Sequence, residues 1–111
     1  MIQVSPQMRI LVAVESVDFR KGIDGLASIV RALDLDPFSG RLFVFRSRSG
    51  SSLRVLAYDG QGFWLCQKRL SKGTFHFWPK GEVLHPLAAY ELQAILWNKD
   101  PGRAPLWRPL K

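Results

Sequence analysis

Three strand-like segments, residues 42–47, 53–58 and 63–69, are joined by links of only five and four residues, Arg48-Ser49-Gly50-Ser51-Ser52 and Asp59-Gly60-Gln61-Gly62. Links this short permit one arrangement. Parallel neighbours need a crossover of about a dozen residues or more, whereas antiparallel neighbours close through a tight turn, so the three segments form a meander. Phe43, Val44, Phe45, Val55 and Tyr58 supply the β-branched and aromatic side chains that favour a pleated, half-buried surface. Asp59-Gly60 is the stronger of the two turn signals, because glycine reaches positive φ without steric cost. Alternation then puts Leu42, Val44 and Arg46 on one face of the first strand and Phe43, Phe45 and Ser47 on the other. Both faces are largely apolar, so both need a cover.

The first cover lies upstream. From Asp18 to Leu33 the apolar residues Phe19, Ile23, Leu26, Val30 and Leu33 step by four, three, four and three, which draws one stripe down a helix. Ser16 or Asp18 can cap its start. Gly22 and Gly25 weaken it by about 1 kcal/mol each relative to Ala, implying either a close backbone approach or a helix that begins later than Asp18. Residues 8–14, mostly apolar and partly β-branched, read as a short buried strand or an arm on the core. Asp36-Pro37-Phe38-Ser39-Gly40 stops the helix and turns the chain.

Downstream, Lys72-Gly73 is a turn, residues 74–78 read as a fourth strand, and Pro79 ends it. Residues 86–97 return to helical spacing through Ala88, Leu92, Ile95 and Leu96, with Pro86 suited to the first turn. Pro101, Pro105 and Pro109 make residues 98–111 an expected extended tail. The expected class is α+β: an antiparallel meander of three to five strands with an N-terminal and a C-terminal helix. With 111 residues, 47% of them hydrophobic, the chain suffices for one core and is too short for two, so residues 1–111 are expected to form one domain.

Several chemistries find no support in the residues. A single cysteine, Cys66, excludes an intramolecular disulfide framework and reads as a small buried hydrophobe. No charged-then-apolar leader opens the chain, and its longest apolar runs, such as residues 10–14, fall far below the roughly 20 residues of a membrane span, so a cytoplasmic protein is expected. His76 and His85 stand beside no second ligand at metal spacing. Asp18, Asp24, Asp34 and Asp36 cluster around the first helix, where capping and turn roles account for them better than a metal-dependent nuclease site. Gly60 and Gly62 precede no Lys-Ser or Lys-Thr pair, as a phosphate-binding loop requires. No catalytic residue, metal or cofactor is expected.

Charge is the positive signal. The formal net charge is +7, and residues 41–80 account for the whole excess, with eight Lys or Arg against Asp59 alone. Such a concentration attracts polyanions, of which nucleic acid is the commonest in cytoplasm; the plainer reading is a solvated surface that keeps the chain soluble. A meander brings Arg46, Arg48, Arg54, Lys68, Arg69 and Lys72 to one end of the sheet, the expected contact set for a phosphate backbone. Phe63, Trp64, Phe75, Phe77 and Trp78 are better read as core than as base-stacking platforms.

Six words in order complete the reading: Asp18-Phe19-Arg20-Lys21-Gly22-Ile23-Asp24-Gly25-Leu26, Asp36-Pro37-Phe38-Ser39-Gly40, Leu42-Phe43-Val44-Phe45-Arg46, Tyr58-Asp59-Gly60, Lys68-Arg69-Leu70 and Trp78-Pro79. Together they resemble the signature of the small accessory protein, often labelled TnpB, of insertion-sequence-66-type transposable elements, over about residues 8–97. That family is distinct from the RNA-guided nucleases sharing the label. Phe19 departs from an expected Met, and Ser51-Ser52 from a more charged link. The resemblance implies a role in transposition beside a separate, larger transposase, and it carries over no catalytic residue. The expected function is a non-catalytic DNA-binding factor, with DNA and the element-encoded transposase as partners. A module that docks on the transposase, through the two-faced sheet and the tail at Trp107, is the alternative.

Overall fold

The computed structural model describes residues 9–81 and 83–99. Its elements are β1 (Ile10–Ala13), a 3-10 turn (Phe19–Lys21), α1 (Gly22–Ala32), β2 (Leu42–Arg46), β3 (Ser52–Tyr58), β4 (Phe63–Arg69), β5 (Leu84–Leu87) and α2 (Ala89–Leu96). The protein is α+β, and its five strands lie in the order β4-β3-β2-β1-β5. The expected meander is β2-β3-β4, antiparallel throughout and in unbroken register from Phe43↔Leu56 to Arg46↔Leu53 and from Ser52↔Arg69 to Tyr58↔Phe63. β1 joins the other side of β2 in parallel, with Ile10↔Leu42 and Val12↔Val44. The segment between them, including α1, is the long crossover that a parallel pair requires.

Alternation along these registers divides the core in two. On one face Phe43, Phe45 and Leu56 pack against Leu26, Ala27 and Val30 of α1. On the other, Ile10, Val12, Leu42, Val44, Leu53 and Val55 pack against Leu92 and Ile95 of α2 and against Phe75 and Trp78. Each helix thus removes one apolar face of the sheet from water, the dominant favourable term in folding.

Asp18 begins the first cover as expected, its Oδ1 accepting the Arg20 N–H at 2.9 Å. That cap serves the 3-10 turn, and α1 starts later, at Gly22, whose φ of +68° suits only glycine comfortably. Gly25 answers to close approach, since a Cβ there would overlap Cβ of Lys21.

Two expectations need correction. Residues 74–78 form no strand: the segment crosses the α2 face with Phe75 and Trp78 buried. Its polar groups find partners outside any ladder. Gly50 O accepts the Phe75 N–H at 2.9 Å, the Trp78 indole donates to Ala13 O at 3.0 Å, and the Asn98 side chain bonds His76 N–H and Thr74 O. The expected helix from Pro86 is the second: Pro86 lies in β5 opposite Leu11, and α2 begins at Ala89. Proline biases its predecessor toward extended backbone and is tolerated on an edge strand, which β5 is. Asn98 ends α2 at φ +55° instead of opening an extended tail; beyond Lys99 that expectation lies outside the described residues.

Asp59 organises the β3-β4 turn. Its Oδ1 accepts the N–H groups of Gln61 and Gly62 at 2.9 and 3.0 Å, and its Oδ2 accepts the Trp64 indole N–H at 2.7 Å. These bonds, the Gln61 N–H first among them, hold its carboxyl below the usual carboxylate range. A depressed folded-state pKa contributes stability that is present above the unfolded value of about 3.9 and lost as pH falls through the folded one. Melting temperature followed by circular dichroism should therefore fall as pH drops below about 4, and Asp59→Asn should flatten part of that fall. Helix propensity alone makes Gly25→Ala stabilising by about 1 kcal/mol, but the overlap with Lys21 should make it destabilising by about 1–2 kcal/mol in urea unfolding.

Candidate nucleic-acid interface

The cationic end of the sheet is assembled around the β2-β3 hairpin. Ser47 N–H donates to Ser52 O at 2.9 Å, and Gly50, at φ +78°, lets the link reverse. The hydroxyls of Ser47, Ser49 and Ser51 form a chain with Oγ···Oγ separations of 3.2 and 2.8 Å. The exit of β4 is tied to the same hairpin, because Leu70 N–H donates to Ser51 O at 2.8 Å and Phe75 N–H to Gly50 O. The approach to α1 joins from the other side through Val17 N–H, which donates to Arg46 O at 2.9 Å. Four stretches of chain meet there.

The structure sorts the six expected cations into two groups. Arg48 in the hairpin, Arg69 at the end of β4 and Lys72 just beyond it are exposed at this end. Arg46, Arg54 and Lys68 are half-buried and make intramolecular contacts. Register decides their faces: Arg46 and Lys68 lie on the α2 side, Arg54 on the α1 side. The Arg46 guanidinium lies 5.2 Å from the Trp78 ring centroid, and its buried Nε has no hydrogen-bond partner among the described residues. Arg54 stacks 4.4 Å over Phe19 while donating to Gln67 Oε1 at 2.6 Å and to Phe19 O at 2.8 Å. Lys68 donates to Leu96 O at the C-terminal end of α2 and lies 5.3 Å from the Trp97 centroid.

Each of these three cations fastens one cover to the sheet: Arg54 the turn before α1, Arg46 the 70–80 segment, Lys68 the end of α2, where a positive charge also suits the helix dipole. Of the six expected cations three are thus exposed at the hairpin end and three half-buried, with Arg20 and Lys21 exposed on the neighbouring turn. Arg20 is held by Asp18 in a bidentate pair, its Nη2 at 2.7 Å from Oδ2, the only ion pair among the described residues. That pair, with the Arg48 charge as a smaller influence, holds the Asp18 carboxyl well below the ordinary carboxylate range.

The sequence reading missed the serine chain, although four serines between positions 47 and 52 were its visible signal. It also missed the aromatic trio at the far end of the sheet, where Phe38, Tyr58 and Phe63 stand with centroids 4.9 to 5.2 Å apart. Phe38 and Phe63 lie 25 positions apart in the chain and meet only once the strands are paired. Among the described residues, no three His, Cys, Asp or Glu side chains lie together as a metal site would need, and no helix is long and apolar enough to cross a membrane.

A mixed five-stranded sheet, covered by one helix on each face and carrying at its hairpin end exposed cations without an acidic partner among the described residues, defines a small basic α+β protein. The chain belongs to the family described as IS66 Orf2 like protein, whose profile matches residues 8–103. It is 40% identical over 116 residues to "Uncharacterized protein y4jC" and 40% identical over 117 residues to "Uncharacterized protein y4hO", both of Sinorhizobium fredii (strain NBRC 101917 / NGR234). Each alignment covers 100% of this chain and 98% of the relative. No solved structure matches the chain. Family membership makes this a transposition-associated accessory protein of an insertion sequence.

The two groups of cations should separate in stability. Arg54→Ala, which removes a ring contact and two hydrogen bonds, should cost about 1–2 kcal/mol in chemical denaturation, whereas Arg48→Ala, Arg69→Ala and Lys72→Ala should each stay within about 0.5 kcal/mol.

Proposed function

We propose that this accessory protein acts without catalysis, by holding DNA of its element against the hairpin end that carries Arg48, Arg69 and Lys72. The observation that supports the reading most directly is that all three side chains are exposed at one end of the sheet, with no acidic partner within 4 Å among the described residues. Arg gives bidentate phosphate contacts and Lys a point charge, while the adjacent serine hydroxyls add neutral donors. Arg46, Arg54 and Lys68 serve this surface indirectly, by fixing the covers around it. The cytoplasm, where such DNA resides, is the setting the reading implies.

Titration of element-end and random duplex across a salt series tests this. Three phosphate contacts correspond to a slope of log affinity against log salt of about −3, and replacing any one of the three cations by alanine should reduce its magnitude by about 1. The duplex should be recovered uncut in Mg²⁺. A flat salt response, or a triple alanine variant that binds as wild type does, counts against the proposal.

Exposed apolar side chains support a second reading, a module that docks on the element's transposase. Trp64, Val83 and Trp97 are 49%, 60% and 69% exposed. Co-purification with the transposase that survives the triple alanine change, together with no duplex binding by either wild type or the variant alone, favours docking over DNA binding.

A further inference from the structure

The two edges of the sheet are built differently. β5 has four residues and contains Pro86, two of the devices by which proteins blunt an edge against pairing. β4 has seven residues without proline or bulge, in continuous register with β3. Which of its backbone groups face outward follows from its ends. Asp59 N–H bonds Gly62 O, and Leu70 N–H bonds Ser51 O, so the hydrogen-bonded positions facing β3 are 62, 64, 66, 68 and 70. Phe63, Leu65, Gln67 and Arg69 therefore turn their N–H and C=O groups away from the sheet, and no backbone group of the described residues meets them there.

We propose that the occupant of this edge is a second copy of the chain, its β4 antiparallel to the first about a two-fold axis at Cys66. Self-complementarity carries the choice. Pairing all seven residues places Phe63 opposite Arg69 and Leu65 opposite Gln67 as hydrogen-bonded pairs, the positions whose polar groups point outward. Trp64 then falls opposite Lys68, and Cys66 opposite Cys66, as non-hydrogen-bonded pairs. In this register every cation falls opposite an aromatic residue and none opposite a like charge; a register shifted to centre on Lys68 would set ammonium against ammonium. The same pairing covers exposed indoles. Trp64 lies in the junction itself, and Trp97 borders it through its contact with Lys68. The contact is isologous, so every pair occurs twice and the assembly closes as a dimer with a continuous sheet.

Sedimentation of the full chain at micromolar concentration tests the pairing. The expected species is a dimer that tightens with added salt, because two copies of net charge +7 repel, the opposite of the salt response of DNA binding. Trp64→Lys places two ammonium groups opposite each other twice and should weaken the dimer by about tenfold or more, while Trp64→Glu should retain it. A non-hydrogen-bonded antiparallel pair holds its Cα atoms about 4.5 Å apart, within disulfide range. Oxidation by copper phenanthroline should therefore link wild-type chains through Cys66 as dimers, slowly in Trp64→Lys and not at all in Cys66→Ser. A monomer at all salt concentrations overturns the proposal, whatever else covers the edge. So does a dimer that neither crosslinks through Cys66 nor responds to Trp64→Lys.

Discussion

Side chains along a strand alternate between two faces, and in this protein the antiparallel registers of β2 with β3 and β3 with β4 turn that alternation into an assignment for nearly every residue that matters. A slip of one position would exchange Phe43 and Phe45 with Leu42 and Val44, and would move Arg46, Arg54 and Lys68 to the opposite faces. The two covers could not then be seated. α1 presents Leu26, Ala27 and Val30 to aromatic neighbours, α2 presents Leu92 and Ile95 to aliphatic ones, and each is fastened by a cation that must emerge on its own side.

The cations explain why a chain so basic in its middle does not simply carry a charged surface. Half of the set supports the architecture. Guanidinium and ammonium groups lie over Trp78, Phe19 and Trp97, where the aliphatic stems stay on apolar surface and the charge finds a ring face or a carbonyl. The remainder is exposed at the hairpin end, where the polar link of serines and glycine offers no acid to neutralise it. Structural and available charge come from one stretch of sequence, and neighbours in the chain belong to different classes: Arg46 is enclosed while Arg48 is exposed, and Lys68 is enclosed while Arg69 is exposed.

The words of the family signature fall where the backbone most needs help. Asp18 caps the turn before α1, Asp36 accepts the Phe38 N–H at 2.9 Å, Asp59 closes the β3-β4 turn, and Trp78 anchors the last cover to Ala13. These are positions where a chain changes direction and leaves N–H groups without a ladder partner. The signature thus records how the covers are attached to the sheet as much as any surface for a partner.

Local information was sufficient for the three hairpin strands, which begin and end within a residue of the spans their alternation and short links indicate, and for the stripe of α1. Each rests on a period or a turn contained within about twenty consecutive residues. Pairings over long separations were not legible. Residues 10–13 look the same in sequence whether they lie parallel to β2 or form an arm, and only the crossover of α1 decides it. Pro86 suits a helix start until β1 offers an edge to residues 84–87, and residues 74–78 look like a strand until buried side chains and Asn98 claim them. For the same reason the sequence located the positive charge but could not say which cations face water. That depends on which ring or carbonyl the tertiary fold brings to within about 5 Å of each charge, and those partners lie from about 30 to 35 positions away in the chain.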